Sequence, residues 1–239
     1  MDRYQGDVSY SIKTLSIVIP TFNEAATIWR IIEKVKTAPV PFEKEIIVSD
    51  DGSTDATPRV LARIPGIRVL RSEQNRGKGA ALRRGFAVAH GEAIIIQDAD
   101  LEYDPADYPM ILAPIIAGKA DAVFGSRFKG GVGRALYFWH YVGNTLVSVC
   151  ASACTNLLFT DVYTGSKAFT RPCLLRILPR LSADGFEIEV EIALRAVQTS
   201  ARIYEVAISY YGRTYEEGKK IRWWHGLRAL ATIVRCTLR

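Results

Sequence analysis

Short β-branched runs alternate with helical patterns through the first half of the chain, and this alternation limits the fold more than any other feature. The runs are LSIVIP (15–20), EIIVSD (45–50), IRVL (67–70), EAIIIQ (92–97) and DAVFGS (121–126). Between them, Glu24–Thr37, Thr57–Ile64, Gly79–His90 and Pro105–Gly118 carry helical apolar spacing or a Pro or Asp near their start. Strands that alternate with helices at this pitch form a mostly parallel sheet with helices on both faces, an α/β fold. Ligands of such sheets bind beyond the carboxyl ends of the strands. No internal repeat, low-complexity tract or Pro/Gly/Ser linker interrupts the sequence, so one domain is expected over 1–239. At 239 residues and 49% hydrophobic content, the chain can build a sizeable core, which excludes intrinsic disorder and collagen-like or mini-protein scaffolds.

The strand ends are polar in four places: Pro20-Thr21-Phe22-Asn23-Glu24, Asp50-Asp51-Gly52-Ser53, Asp98-Ala99-Asp100 and Gly125-Ser126-Arg127. In a parallel sheet all four share one edge. If the chain stays extended, Asp98 and Asp100 point to the same side. Two unpaired ionised carboxylates there call for a cation, and oxygen-only ligands favour Mg²⁺ or Mn²⁺ with positions left for diphosphate oxygens. A helix cap before Pro105 is the plain alternative, but Glu102 and Asp104 supply more acid than a cap uses. The stretch Asp50–Asp55 is either a turn and N-cap or a base-recognition loop in which one Asp accepts a hydrogen bond from a nucleobase. The neighbouring acidic strand end favours the second reading.

Asn75-Arg76-Gly77-Lys78-Gly79 satisfies neither GxxxxGK[ST] nor GxGxxG, which removes the main support for ATPase and NAD-enzyme readings. Its glycines let the backbone approach a ligand near Lys78 and Arg76, or permit a tight turn. Both readings stay open.

The motifs VIPTFNEA, VSDDGSTD, NRGKGAAL, QDADLEYDP, FGSRF, LYFWHYVGN and YYGRTYEEGKKI together resemble the family 2 glycosyltransferases. Within that family they are similar to the dolichyl-phosphate mannose synthase-like, polyprenyl-phosphate glycosyltransferase group, over about residues 15–235. The resemblance implies a GT-A type Rossmann-like fold, a nucleotide-diphospho-sugar donor such as GDP-mannose or a UDP-hexose, a divalent cation and inverting transfer. The implied acceptor is a polyprenyl (dolichyl or undecaprenyl) phosphate. It implies that about 15–130 bind the nucleotide sugar and about 131–239 face acceptor and membrane.

Carried onto this chain, Pro20, Phe22 and Glu24 line the nucleotide and Asp51 reads the base. Asp98, Asp100 and Glu102 hold the metal and diphosphate, while Arg127, Arg213 and Lys219 face phosphates. Asp50, Lys78, Ala99 and Arg134 complete the candidate substrate-binding set, and Asp100, Arg127 and Asp161 are the candidate catalytic residues. Asp161 has an equally good reading as a helix or turn cap after Thr160. Mannose synthases of the group often carry Gln where Glu102 stands and Tyr where Phe22 stands. Of Asp161-Val162-Tyr163-Thr164-Gly165-Ser166-Lys167, only Asp161, Thr164 and Lys167 match the Asp-Met-Glu-Thr-Cys-Tyr-Lys common in relatives.

The charge pattern extends the reading to a membrane. Thirty-one Lys and Arg against 25 Asp and Glu give +6, and Arg213–Arg239 holds seven basic residues against Glu216 and Glu217, a local excess of +5. Basic residues beside Trp223 and Trp224, followed by a helix through Leu227, Leu230, Ile233 and Val234, suit an anionic lipid surface. The run Ala135–Thr160 contains no Asp, Glu, Lys or Arg over 26 positions, long enough for a span. Yet His140, Asn144, Ser148, Ser152 and Asn156 recur every four residues as a polar stripe, which serves an interfacial or site-covering helix better than a lipid-spanning one. Core packing remains the plain alternative.

With no signal-peptide-length apolar run near the start, the expectation is a cytoplasmic protein, peripheral on the cytoplasmic face of a membrane or held there by a membrane-anchoring subunit. The four cysteines form no CxxC pair and read as reduced core or interface residues. Two alternatives stand beside this function: transfer to a glycan or protein acceptor, and a nucleic-acid-binding module using the basic tail. The clustered carboxylates argue against nucleic acid.

Overall fold

The structure, a computed structural model, describes residues 12–130, 133–134, 137–214, 216 and 223–238. Five strands fall where alternation predicts them: β1 (Thr14–Thr21), β2 (Glu43–Asp50), β3 (Arg68–Arg71), β4 (Ala93–Ile96) and β5 (Ala122–Ser126). Two more, β6 (Lys167–Thr170) and β7 (Ile203–Ala207), were not legible. Among the described residues seven strands form one sheet in the order β3-β2-β1-β4-β6-β5-β7. β6 runs antiparallel to both β4 and β5, so β5 again points the same way as β4. This reversal brings Ser126 and Arg127 to the edge that carries the ends of β1, β2 and β4.

Along β1, Ile17 and Ile19 face one core cluster and Val18 the other, as period-2 alternation requires of a strand buried on both faces. Helix α1 (Ile28–Lys36) buries Ile28, Ile31, Ile32 and Val35, a single helical stripe. Between the first three strands lie α1 and the short α2 (Thr57–Leu61), with α3 (Lys78–Phe86) after β3 and α4 (Tyr108–Ile116) after β4. A 3₁₀ turn at Pro105–Asp107 precedes α4, and Asp104 caps it by accepting from the Ala106 amide. Gly77, at φ 111°, makes the turn into α3 that L side chains disfavour.

The second half adds α5 (Phe138–Thr155), α6 (Arg171–Ile177), α7 (Ile188–Gln198) and α8 (Trp223–Thr237). Helix α8 packs on α5 and α7. From Asn144 to Ser152 the polar stripe on α5 faces the protein. Asn144 donates to the Asp161 carboxylate at 2.9 Å, Ser148 Oγ accepts from the Val162 amide at 3.1 Å, and Ser152 Oγ accepts from the Phe159 amide at 2.9 Å. Outward stand Phe138, Trp139 (78% exposed), Leu146 and Val149. A core helix would show the opposite pattern, so the stripe clamps loop 159–162 and leaves an apolar face outside. All four cysteines are free, with Cys173 and Cys236 buried, Cys150 half-buried and Cys154 exposed.

Candidate active site

The loops after β1 and β2 are sewn to each other. The Asn23 side-chain carbonyl accepts from the Thr54 amide at 2.8 Å, the Asn23 amide donates to Ser53 Oγ at 2.9 Å, and the Glu24 amide donates to Thr57 Oγ1 at 2.9 Å. Asn23 sits at φ 53° to allow this. Pro20 is buried at the end of β1 and Phe22 half-buried beyond it.

Asp50 and Asp51 are both buried. One Asp50 oxygen accepts from the Ser53 amide at 3.0 Å; the other has no hydrogen bond and lies 3.6 Å from Arg71 Nε. Asp51 accepts from the Arg76 and Gly77 amides at 2.8 and 2.6 Å, with Arg84 at 3.5 Å from its second oxygen. Asp51 thus fixes the Asn75–Gly79 turn that starts α3 and aims Lys78 at the strand edge. The tight-turn reading of that motif holds, and the turn carries Lys78 into contact with Asp98.

The central cleft is lined by Glu24, Lys78, Asp98, Asp100, Glu102, Tyr103, Arg127, Tyr163, Gly165, Phe186, Glu189, Tyr210 and Arg213. Asp98 and Asp100 both reach it, although not along an extended chain. Residues 99 and 100 form a turn, Leu101 adopts φ 66°, and Ala99 is buried between the two carboxylates. Asp98 is gripped by Lys78 at 2.6 and 2.9 Å. Glu102 accepts from Tyr210 Oη at 2.8 Å and the Arg213 amide at 2.7 Å, while an Asp100 oxygen accepts from the Glu102 amide at 3.1 Å. Arg213 crosses the cleft, donating to the Asp100 carbonyl at 2.7 Å and to Glu24 at 3.0 Å. Part of the C-terminal basic excess therefore neutralises the acidic strand ends instead of forming a separate patch. Burial, reinforced by Glu102 and Asp98 and opposed by Arg213, pushes the Asp100 carboxyl up to about 8.

On the opposite wall Arg127 forms a bidentate pair with Asp161, both contacts at 2.7 Å, and its guanidinium lies 5.0 Å from the Tyr210 ring centre. Burial alone would lower the Arg127 pKa, and the Asp161 charge outweighs it, holding the guanidinium protonated. Asp161 is fully buried behind Arg127, does not line the cleft, and holds the Arg127 guanidinium in one orientation. Arg134 is exposed beside the bridge that Gly133 makes with Tyr210, outside the cleft lining. Lys219 lies outside the described residues.

Sequence reasoning missed Glu189, Lys167, Tyr103, Tyr163, Phe186 and Tyr210. Glu189 sits at the start of α7 and contacts Lys78 at 2.8 Å and the fully buried Lys167 at 2.7 Å. Burial would raise the Glu189 carboxyl, and the two lysines overcome this and hold it low. The available signal was Lys167, which matches the pattern of relatives, since a lysine that the fold buries needs an anionic partner.

Residues 16–172 match the family model described as glycosyl transferase family 2, and the chain belongs to that family. A low-salt glycan biosynthesis hexosyltransferase of Haloferax volcanii is 31% identical over 207 residues, which are 85% of this chain and 49% of that protein. A dodecaprenyl-phosphate galacturonate synthase of Rhizobium johnstonii is 28% identical over 86% of this chain and 61% of its own length. The chain therefore spans about half to three fifths of the length of these relatives. Among solved structures, a glucosyl-3-phosphoglycerate synthase from Mycobacterium tuberculosis, in complex with Mn²⁺, uridine diphosphate and glucosyl-3-phosphoglycerate, superposes with a TM-score of 0.74. It is 22% identical and covers 94% of this chain and 80% of its own. The fold is the GT-A, Rossmann-like arrangement expected from the motifs.

Proposed function

We propose that this protein is an inverting, metal-dependent glycosyltransferase that moves a sugar from a nucleotide-diphospho-sugar to a polyprenyl phosphate. The observation that carries the lipid acceptor is the inside-out α5: the helix that clamps the Asp161 loop at the cleft turns Phe138, Trp139, Leu146 and Val149 outward. An apolar face beside a charged cleft suits a substrate with a phosphate head and a hydrocarbon tail. The name of one relative points the same way, a dodecaprenyl-phosphate galacturonate synthase.

The donor side fits a divalent cation in charge and chemistry. Among the described residues five carboxylates line the cleft against three cations, an excess of two negative charges if all are ionised. Counting the buried partners Asp161 and Lys167 leaves that excess unchanged. The donors are all oxygen, the set that Mg²⁺ and Mn²⁺ prefer. Among the described residues no three such side chains already converge as a metal site; Lys78 holds Asp98 and Tyr210 holds Glu102. Asp98, Asp100 and Glu102 would hold the ion, which when bound neutralises the departing diphosphate.

The loops after β1 and β2 would seat the nucleoside, with Glu24, Asp50 and Asp51 fixing their shape. Arg127, kept in one orientation by Asp161, and Arg213 would hold phosphate oxygens in line with the sugar. A phosphate monoester with a second pKa near 6 is largely ionised at pH 7, so the chain needs to position the nucleophile more than to deprotonate it. Among the described residues no helix is long and apolar enough to cross a membrane. Attachment at the cytoplasmic face would then use the outer faces of α5 and α8, or a membrane-anchoring partner.

The test is transfer of labelled sugar from GDP-mannose and UDP-hexoses to dolichyl and undecaprenyl phosphate, with Mn²⁺ or Mg²⁺. A lipid-linked product is expected. Its absence with every donor, from protein of unchanged melting behaviour, rejects the reading, and transfer to glycan acceptors instead would assign the fold to chain extension.

A further inference from the structure

We propose that Lys78 is a tethered cation that competes with the metal for Asp98, so that bare metal binds weakly and metal and nucleoside diphosphate bind together. This inference rests on the reading of Asp98, Asp100 and Glu102 as metal-holding residues.

The Lys78 ammonium lies between two carboxylates, 2.6 Å from Asp98 and 2.8 Å from Glu189. Its side chain is nearly buried, and so is that of Glu189. The backbone beneath it is fixed from two sides. Asp51 binds the Arg76 and Gly77 amides, and the Asp184 carbonyl accepts from the Gly79 amide at 2.7 Å. What remains free to move is the ammonium at the end of its four-carbon stem. Gly165 allows the pair its place, because a Cβ there would collide with the Asp98 carboxylate.

A divalent ion and Lys78 cannot both take the Asp98 oxygens. The metal must break the ammonium contact, and a buried ammonium released without a partner is costly. Two receptors are available. Glu189 already touches Lys78 and can retain it, and a diphosphate arriving in the cleft offers fresh anionic oxygens. Only the second adds a new partner, so nucleotide arrival lowers the cost of metal entry, and by linkage the metal favours the nucleotide equally. Glu189 is in this account a positioning residue, and Lys167 at 2.7 Å keeps it ionised and in place.

The experiment titrates Mn²⁺ into the full chain by electron paramagnetic resonance, alone and with saturating GDP or UDP. Lys78→Met is expected to bind Mn²⁺ alone about tenfold more tightly than wild type, the scale of removing one nearby charge in a partly screened site. GDP or UDP should then tighten Mn²⁺ by a smaller factor than in wild type. Glu189→Gln is expected to move the other way, weakening Mn²⁺ alone about threefold or more, because Lys78 is left with Asp98 only. Unchanged or weaker Mn²⁺ binding by a folded Lys78→Met overturns the proposal, with wild type still binding Mn²⁺ and nucleotide together. Should Lys78→Met fail to fold, Glu189→Gln decides: weaker binding supports the proposal, and unchanged or tighter binding overturns it. If wild type binds no Mn²⁺ even with GDP and UDP, the metal-site reading fails first and the inference falls with it.

Discussion

The two walls of the cleft are both ionic, yet they are built differently. On one wall Arg127 and Asp161 match charge for charge, with two contacts at 2.7 Å and Asn144 at 2.9 Å supporting the carboxylate. On the other, Asp98, Asp100 and Glu102 crowd together, and burial with like charge pushes the Asp100 carboxyl up to about 8. The first wall is complete in itself and holds a guanidinium still. Among the described residues the cleft around the second holds more carboxylates than cations. Burial alone therefore does not distinguish the two walls; the balance of charge does.

That contrast can be broken from either side. Asp161→Ala leaves Arg127 buried and unpaired, and the expected loss is about 3–5 kcal/mol of stability in urea unfolding, with transfer falling as well. Asp100→Asn is expected to cut transfer by about two to three orders of magnitude, the scale of losing one preorganised charge-stabilising group. Its urea midpoint should stay level or rise, because a carboxyl crowded by Asp98 and Glu102 is removed. If both variants lose stability alike, the two walls are not different in kind.

Smaller effects sharpen the account. Changing Trp139, Leu146 and Val149 together to Ser alters only the outer face of α5. Sedimentation with anionic vesicles should fall severalfold, while nucleotide-dependent thermal stabilisation is retained. In thiol labelling of the native protein, Cys154 should react first. Cys173 should stay unmodified until unfolding, since burial pushes its thiol up to about 12.

Residues of the first half were legible because each strand there announces itself and ends in chemistry. β1, β2, β4 and β5 ended where their apolar runs ended, and the polar residues beyond them met at one edge because parallel strands share a direction. The second half hid its strands. β6 is four residues long and opens on a lysine that the fold buries completely, while β7 shows the weak burial of an edge strand. Neither has a pattern that distinguishes it from loop. The polar stripe of α5 was visible, but its direction was not, since a stripe facing water and a stripe clamping a loop have the same spacing.

The sequence by itself determined the parallel strands of the first half, the acidic edge and the family, because hydrophobic period and clustered strand-end residues are local properties. Tertiary structure decided which charges cancel. Arg213 reaches Glu24 across 189 positions of sequence, and Lys78 finds Asp98 and Glu189 at once, both through chain reversals that no local pattern records. Net charge is a sum over the chain, whereas a site's charge depends on which few side chains the fold brings within a few ångströms of one another.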